Sequence, residues 1–192
     1  MHMKRETRIA TQSRGVRIIG GHLKRSKLQV LPIEGLRPTP DRVRETVFNW
    51  LGPDWSDRCA LDCYAGTGAF GFEALSRGAQ SVQFIEHNQA VSAQIQSTID
   101  RFSLNARATV RTTDARTLSA DTLATAHVIF ADPPFNHGLA QHFLSWIRDQ
   151  VRPHCRIVIE SERNAPLDTE GFVVLKELNA GLDRVMLLRP DA

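Results

Sequence analysis

The chain contains a short apolar segment, residues 128–131, that is followed at once by Asp132, Pro133, Pro134 and Phe135. Its apolar, partly β-branched residues predict a strand buried on both faces of a parallel sheet. The strand must end at Asp132, because the two prolines lack the N–H groups that a ladder needs. Open α/β sheets bind ligands at the carboxyl edge of their strands, so the segment predicts a stiff binding loop there.

This loop combines a carboxylate, a backbone carbonyl and an aromatic ring. Asp132 and the Pro133 carbonyl could accept the two hydrogens of an exocyclic amine while Phe135 stacks on the ring of a planar base. A tight turn is the alternative that an Asp-Pro dipeptide alone would favour. Because the whole tetrad follows an apolar strand, we assign Asp132, Pro133, Pro134 and Phe135 to a catalytic loop.

From residue 58 onward, strand-like and helix-like patterns alternate. The pattern predicts an α/β fold: a Rossmann-like, doubly wound, mostly parallel seven-stranded sheet that ends in a C-terminal antiparallel hairpin. The predicted strands are 60–64, 81–85, 108–113, 126–131, 156–160, 171–178 and 184–188. The predicted helices are 69–77, 89–102, 118–123 and 139–150. Residues 179–183 are too few for a crossover helix, so the last two strands must be antiparallel.

The first fifty residues hold 11 lysines and arginines against four acidic residues, whereas the remainder holds 13 against 17. Residues 16–19 and 28–31 predict a small basic hairpin, and Thr39 is expected to cap a helix that has Pro40 at its first position. A basic block of this kind favours a phosphate backbone as partner, although a solvated tail is the alternative for residues 1–14. We therefore predict two domains, 1–56 for binding a phosphate backbone, which the family resemblance described below implies to be RNA, and 57–192 for catalysis.

Composition limits the other possibilities. No apolar run approaches the ~20 residues of a membrane span, and no signal-peptide core is present, so we expect a cytoplasmic protein. Cys59, Cys63 and Cys155 are too few and wrongly spaced for a zinc site or a disulfide framework, and we expect them to be reduced and mostly buried. The histidines show no metal-binding spacing; His137, with Asn136, is a candidate only for lining the pocket. Because no extra apolar surface helix is evident, we expect a monomer.

A second motif lies on the first strand of the predicted sheet, where Asp62 is followed by the glycine-rich turn 66–68. Glu86 and Asp114 come at the ends of the next two strands, in positions suited to ribose and adenine. Residues 66–71 also match G-x-G-x-x-G, which alone would indicate a dinucleotide. Asp62 would repel a pyrophosphate but suits the cationic amine of S-adenosylmethionine. A strand-end cap remains open for Asp62, an exposed acid for Glu86, and a turn residue for Asp114.

Taken in order, Asp62-x-x-x-Gly66-x-Gly68, Glu86, Asp114 and residues 132–135 resemble class I S-adenosylmethionine-dependent methyltransferases that act on exocyclic amines. Residues 17–21, 36–51 and 73–78 narrow the resemblance to the RsmD-type methyltransferases. Those enzymes modify a guanine N2 in bacterial 16S ribosomal RNA. The resemblance extends from residue 17 to about residue 162.

The resemblance implies S-adenosylmethionine as cofactor and 16S ribosomal RNA as partner, within a small ribosomal subunit or its precursor. The implied cofactor site consists of Asp62, Tyr64, Ala65, Gly66, Thr67, Gly68, Glu86, His87, Asp114, Ala115 and Asp132. We assign RNA contacts to the N-terminal residues Arg17, Lys24, Arg25, Lys27, Arg37, Thr39 and Arg42.

Three alternatives remain open. The tetrad recognises an amine without naming the base, so a DNA adenine-N6 or cytosine-N4 methyltransferase is one. An RNA-binding assembly protein without turnover is the second, and the intact Asp132 and Phe135 argue against it. A nicotinamide dehydrogenase is the third, but residues 132–135 would have no role in hydride transfer.

Overall fold

A computed structural model describes residues 15–33, 39–135 and 138–191 of the protein. The predicted features outside these ranges are the tail 1–14, the RNA contact Arg37 and the pocket candidates Asn136 and His137. Within the described ranges, no helix is both long and apolar enough to cross a membrane. The same ranges contain no group of three or more His, Cys, Asp or Glu side chains arranged to hold a metal ion. Cys63 and Cys155 are buried and all three cysteines are free, as expected.

The main sheet has seven strands, and its architecture confirms the predicted α/β fold. Its strands are β3 (Cys59–Cys63), β4 (Ser81–Glu86), β5 (Ala108–Thr112), β6 (Val128–Ala131), β7 (Arg156–Glu162), β8 (Phe172–Ala180) and β9 (Asp183–Pro190). They lie in the order β5-β4-β3-β6-β7-β9-β8, parallel from β5 to β7 and antiparallel at β9 and β8. Two short strands, β1 (Val16–Arg17) and β2 (Lys27–Leu28), form a separate antiparallel pair.

Among the described residues, four helices connect the parallel strands and one precedes β3. They are α1 (Asp41–Leu51), α2 (Ala69–Ser76), α3 (Gln89–Arg101), α4 (Ala120–Thr125) and α5 (Leu139–Ile147), with a short 3-10 turn at Ala115–Thr117. The ends of the predicted elements differ from the structure by up to three residues. Helix α5 stops three residues early, and the final strands are longer than expected because Gly181 and Leu182 alone form the hairpin turn. Gly181 has a φ of +67°, which suits a two-residue hairpin turn.

The predicted helix cap at Thr39 is wrong. Pro40 occupies the N-cap position of α1, and no side chain caps the helix. Thr39 is buried, and its hydroxyl instead donates to Oδ2 of Asp132 at 3.3 Å. A carboxylate accepts a hydrogen bond more strongly than a neutral group does, which explains why this contact wins over the cap.

The order in which successive strands are added to the sheet reverses between β3 and β6. From β3 the chain builds outward through β4 and β5, then returns to place β6 on the other side of β3. Cys63 at the end of β3 is level with Ala131 at the end of β6. A crevice opens at such a switch point, outside the carboxyl ends of the strands, so the fold places the end of β3 and the predicted catalytic loop on its two sides.

The amino-terminal helix shares its core with the sheet. Phe48 of α1 lies 5.2 Å from Trp55 and 5.7 Å from Phe130 of β6, measured between ring centroids. Phe70 of α2 stacks on Phe130 at 4.9 Å. These rings belong to one buried cluster that also contains Val16 of β1. One continuous core therefore includes residues from both sides of residue 56. The division into two domains near that residue stays a prediction.

The segment after β1 is fastened to the end of α2. Ser76 accepts from the backbone N–H of His22 at 2.9 Å, and its hydroxyl donates to the carbonyl of Gly20. Gly21 has a φ of +72°, and a Cβ added there would lie 1.8 Å from the Ser76 carbonyl oxygen. Only glycine permits so close an approach, so the docking of the hairpin depends on this position.

A buried carboxylate in the middle of α2 fixes the same segment. Glu73 is fully buried and accepts from the backbone N–H groups of Ile19 at 2.7 Å and Gly20 at 2.8 Å. It also accepts from Nε of Arg77 at 2.8 Å and lies 3.7 Å from Nη1 of Arg44. The carboxylate is thus compensated by two backbone donors and two guanidinium groups, as a buried charge requires.

Arg44 of α1 extends this network toward the catalytic loop. Its side chain is fully buried and donates to the carbonyls of Arg17 at 2.7 Å and Thr39 at 3.3 Å, and to Asp41 at 2.8 Å. Burial lowers the pKa of Arg44, while Asp41 and Glu73 oppose the shift. The guanidinium stays charged because its ordinary pKa is so high. Through these hydrogen bonds Arg44 links the Arg17 backbone of β1 to Thr39, whose hydroxyl contacts Asp132.

We predict that Gly21→Ala destabilises the protein much more than Gly181→Ala. Both glycines have a positive φ, but nothing lies within 4 Å of a Cβ at Gly181. The strained backbone alone should cost about 1–2 kcal/mol in each variant, and the overlap with Ser76 should add roughly 1–3 kcal/mol in Gly21→Ala. Urea unfolding of the two variants measures the difference. Equal losses would contradict the close contact.

A second prediction concerns the buried network. Glu73→Gln removes the charge that compensates Arg44 and should lower the free energy of unfolding by about 3–5 kcal/mol. Glu170→Gln is the matched control, since Glu170 is exposed and pairs with Arg148 at 3.3 Å on the surface. Such surface pairs contribute little. Denaturant unfolding compares the two, and a Glu73→Gln loss no larger than the control would refute the role of the network.

Candidate active site

Acidic side chains gather at the carboxyl edge of the sheet. They are Asp62 of β3, Glu86 of β4, Asp132 after β6, Glu160 of β7 and Asp183 of β9. Asp62 repels both Asp132 and Glu86 electrostatically, and Glu160 repels Asp132 and Asp183. Crowded acids of this kind favour a nearby cation, so a cationic ligand would be stabilised at this edge.

Asp62 is the most deeply placed of the acids that face the crevice. Only 3% of it is exposed, and its Oδ2 accepts from the backbone N–H of Gly71 at 2.8 Å. Burial raises the pKa of Asp62 well above its ordinary value, and Asp132 and Glu86 raise it further against the Gly71 hydrogen bond. A nearby cation reverses such a shift, because it favours the ionised carboxylate. The site thus suits an ammonium or sulfonium group.

The glycine-rich turn lies between Asp62 and α2. Gly66 and Gly68 have φ values of +54° and +72°, and Gly68 is the N-cap of α2. A Cβ at Gly68 would come within 2.8 Å of the Phe72 ring. The turn is therefore closed tightly against the core, with Ala65 buried and Thr67 half-buried, as a backbone that approaches a ligand requires.

Glu86 holds this turn against the end of β4. Its two oxygens accept from the backbone N–H groups of Gly66 at 2.9 Å and Asn88 at 2.8 Å. The exposed His87 places Nδ1 3.2 Å from Oε1. A carboxylate has about four acceptor sites, so ribose hydroxyls could still bind beside these two donors. Glu86 is buried, which excludes the exposed surface acid that the sequence left open.

Asp114 has a turn role in this structure. It caps the 3-10 turn by accepting from the backbone N–H of Arg116 at 2.9 Å, and it also pairs with the Arg116 guanidinium. The hydrogen bond from Arg116 lowers the pKa of Asp114. The next residue, Ala115, is buried. The adenine contact of Asp114 and Ala115 stays a prediction.

Tyr64 lies beside Asp114 with a positive φ of 59°. Burial, the nearby Asp114 and Cys63 raise the pKa of Tyr64 to about 12. Its hydroxyl is a buried atom without a hydrogen-bond partner among the described residues. A buried hydroxyl usually has a partner, so this one fits a site that a ligand completes.

The catalytic loop leaves the sheet directly after β6. Asp132 and Phe135 are half-buried, Pro133 is buried and Pro134 is exposed. Asp132 accepts from Thr39, and it lies within hydrogen-bonding range of Glu160. The carboxylate is thus held from two sides while its loop borders the crevice.

The cations assigned to RNA form an exposed strip along the hairpin. Lys24, Arg25 and Lys27 are exposed, and Lys27 is level with Arg17 across the β1–β2 pair. Arg17 lies 3.6 Å from Asp41. The strip runs from the start of α1, near the catalytic loop, to the end of α2.

Two other N-terminal assignments have mixed outcomes. Arg42 is exposed, and no described ion pair joins it to Glu45, three residues away. Thr39 is only 7% exposed and contacts Asp132, so the structure places it beside the catalytic loop and not among the exposed cations.

Several residues of the site were not found from the sequence. Arg101 of α3 donates to the carbonyl of Lys27 at 2.8 Å and adds a cation to the strip. Glu73 interrupts the apolar run 69–75, and Glu160 breaks off the apolar run 157–159. That interruption is the signal that could have indicated them, since a buried acid is costly unless it has partners.

The chain is similar to a known protein family and to several known proteins. The family model described as "Conserved hypothetical protein 95" matches residues 16–189. The protein named Ribosomal RNA small subunit methyltransferase D from Haemophilus influenzae is 39% identical over 87% of this chain and 90% of its own length. The protein of the same name from Escherichia coli K12 is 40% identical over 80% of this chain and 78% of its own.

Solved structures support the fold. The Escherichia coli structure yhhF has a TM-score of 0.77 and 36% identity, covering 93% of this chain and 99% of its own. An RNA methyltransferase from Salinibacter ruber, solved with S-adenosyl-L-homocysteine, has a TM-score of 0.66 over 81% of this chain and 95% of its own. Its identity of 15% makes it a likeness of fold alone.

The family model covers nearly the whole chain, and the relatives are aligned over most of their lengths. The chain therefore belongs to the Conserved hypothetical protein 95 family, together with the enzymes named Ribosomal RNA small subunit methyltransferase D, and so to the methyltransferases.

Proposed function

We propose that this protein transfers a methyl group from S-adenosylmethionine to the N2 amine of a guanine in 16S ribosomal RNA. One observation carries the proposal: the loop of Asp132, Pro133, Pro134 and Phe135 borders the switch-point crevice opposite Asp62. An amine-binding loop and a cation-binding carboxylate thus face one crevice. The relatives' name supports ribosomal RNA of the small subunit as the substrate class.

The residues around the crevice fit the methyl donor. Asp62 would bind the methionine amine and balance the sulfonium charge, and the glycine turn 66–68 would pack against the methionine end. Glu86 and the neighbouring His87 would hold the ribose. Asp114, the Ala115 backbone N–H and Tyr64 would contact the adenine side, where the Tyr64 hydroxyl lacks a partner among the described residues.

The donor supplies an activated methyl group, whose carbon–sulfur bond breaks with the electron pair left on a neutral sulfur. The protein prepares the accepting nitrogen. Guanine N2 is a weak nucleophile because its lone pair is delocalised into the ring. Hydrogen bonds from both amino hydrogens, to Asp132 and to the Pro133 carbonyl, favour a pyramidal nitrogen whose lone pair attacks the methyl carbon.

After the transfer the nitrogen must lose a proton. The Asp132 carboxylate already accepts one of its hydrogens and would take this proton before passing it to solvent. No covalent enzyme intermediate is needed. Catalysis then depends on positioning and on a preorganised polar site.

The amino-terminal segment, residues 1–56, would hold the RNA while residues 57–192 perform the transfer. The basic strip meets the start of α1, where Arg17 lies 3.6 Å from Asp41, and its hairpin is hydrogen-bonded to the end of α2 at Ser76. RNA bound along it could place one base in the crevice. That base must leave its stack, which favours a loop or single-stranded target in a small subunit or its precursor in the cytoplasm. The enzyme would act as a monomer.

The central test replaces the amine acceptor. Asp132→Ala should abolish methyl transfer to small-subunit RNA and leave S-adenosylmethionine binding largely intact, because Asp62 and Glu86 remain. Asp149→Ala, at an exposed aspartate, is the matched control. Transfer is measured as N2-methylguanosine after digestion of the RNA, and binding by calorimetry. Near-normal turnover by Asp132→Ala would overturn the assigned role.

The basic strip has its own test. The double variant Lys24→Ala and Lys27→Ala should weaken RNA binding at low salt and reduce the slope of log affinity against log salt by about one to two units, as expected for the loss of two phosphate contacts. Lys176→Ala, at an exposed lysine of β8 on the far edge of the sheet, should leave the slope unchanged. An unchanged slope in the double variant would remove these two lysines from the RNA interface.

A further inference from the structure

Glu160 lies beside the catalytic loop without being part of it. Strands β6 and β7 are parallel, with Ala131 level with Ile159. Asp132 and Glu160 each follow by one residue, so they occupy adjacent positions at the carboxyl edge. Glu160 is only 4% exposed and lies within hydrogen-bonding range of both the Thr39 hydroxyl and the Asp132 carboxylate. It is too buried to meet the substrate itself, and any effect on catalysis must pass through Asp132.

Two carboxyl groups lie within hydrogen-bonding range of each other here, and two ionised carboxylates have no hydrogen to share between them. The Thr39 hydroxyl lies within hydrogen-bonding range of both carboxyl groups, at 3.3 Å from Oδ2 of Asp132. The charged groups that face Glu160 are Asp132 from the loop after β6 and Asp183 from β9, and both repel its negative form. A proton on Glu160 forms a hydrogen bond between the two carboxyl groups and removes the repulsion between Glu160 and its neighbours.

The burial of Glu160 leads to the same protonation state. Its Oε1 is buried and has no hydrogen-bond partner among the described residues. An unpaired oxygen costs far less in a neutral carboxyl group than in a carboxylate. Burial raises the pKa of Glu160 well above its ordinary value, and Asp132 raises it further, against an opposing hydrogen bond from Thr39.

We propose that Glu160 is a positioning residue whose carboxyl group donates a hydrogen bond to the Asp132 carboxylate and fixes the orientation in which Asp132 accepts from the substrate amine. This inference rests on the proposed function, in which Asp132 binds that amine. Together with Thr39, Glu160 gives Asp132 two donors from the protein. A bond from a neutral acid to a carboxylate is short and strong, and it keeps Asp132 ionised.

The proposal predicts a dependence on pH. As the pH rises through the pKa of Glu160, the donor is lost and a second negative charge faces Asp132, so kcat should fall on the alkaline side. Stability follows the same sign: a carboxyl with a raised pKa in the folded state stabilises most below its unfolded pKa of 4.5 and loses that contribution as the pH rises.

Three variants separate positioning from simple packing. Glu160→Gln keeps a neutral donor, and its kcat should fall no more than about threefold, whereas Glu160→Leu removes the donor and should lower kcat about 100-fold, the cost of a misplaced catalytic group. The KM for S-adenosylmethionine should change little in either variant. Glu177→Gln, at an exposed glutamate of β8, is the control. The alkaline loss of kcat expected of the unchanged protein should be absent from Glu160→Gln.

Equal losses in Glu160→Gln and Glu160→Leu, or an unimpaired Glu160→Leu, would refute the donor role. If Glu160→Leu fails to fold, the Glu160→Gln pH profile still decides. Unfolding measured against pH is independent of activity: Glu160→Gln should gain stability over the unchanged protein as the pH rises above 4.5. An inactive Asp132→Ala beside a fully active Glu160→Leu would reject this inference alone, whereas an active Asp132→Ala would reject the proposed function.

Discussion

The buried carboxylate of Glu73 holds the amino-terminal segment in place. It binds the backbone after β1 directly and reaches α1 through Arg44. Arg44 in turn binds the carbonyl of Thr39, whose hydroxyl contacts Asp132. A charge in the middle of α2 therefore sets the position of a side chain at the catalytic loop. The cost of burying Glu73 is offset only when all of these partners are present, which makes the hairpin, α1 and the sheet one cooperative unit.

The second constraint is electrostatic. Parallel strands end at a common edge, and here several of them end in acids that repel one another. Such an edge is unfavourable by itself and favourable once a cation binds at Asp62. The same crowding gives the neighbouring acids different tasks: Asp132 stays ionised between two donors, and Glu160 stays neutral because it is buried between acids. In the proposed function Asp62 binds the methyl donor and Asp132 binds the substrate amine. Both are aspartates, so their different roles follow from their burial and position.

Much of the fold could be predicted from local signals. The apolar strand before Asp132, the glycine turn after Asp62 and the short connection before β9 each determine their own geometry, and the structure confirms them. Thr39 was misjudged because a helix cap is a local preference, and a carboxylate 93 residues away competes with it. Glu73 and Glu160 were missed for a similar reason, since the partners that permit their burial come from other strands and helices. Long-range pairing of buried charges does not appear in a local pattern.

The most direct measurement is the fate of a labelled methyl group. The protein and S-adenosylmethionine with a labelled methyl group would be incubated in three separate reactions, with small ribosomal subunits, with protein-free 16S ribosomal RNA or with duplex DNA. The nucleic acid from each reaction would then be digested to nucleosides. We expect label in N2-methylguanosine from the RNA substrates and none from DNA. Label in a DNA base, or in a different RNA nucleoside, would contradict the assignment of the guanine amine.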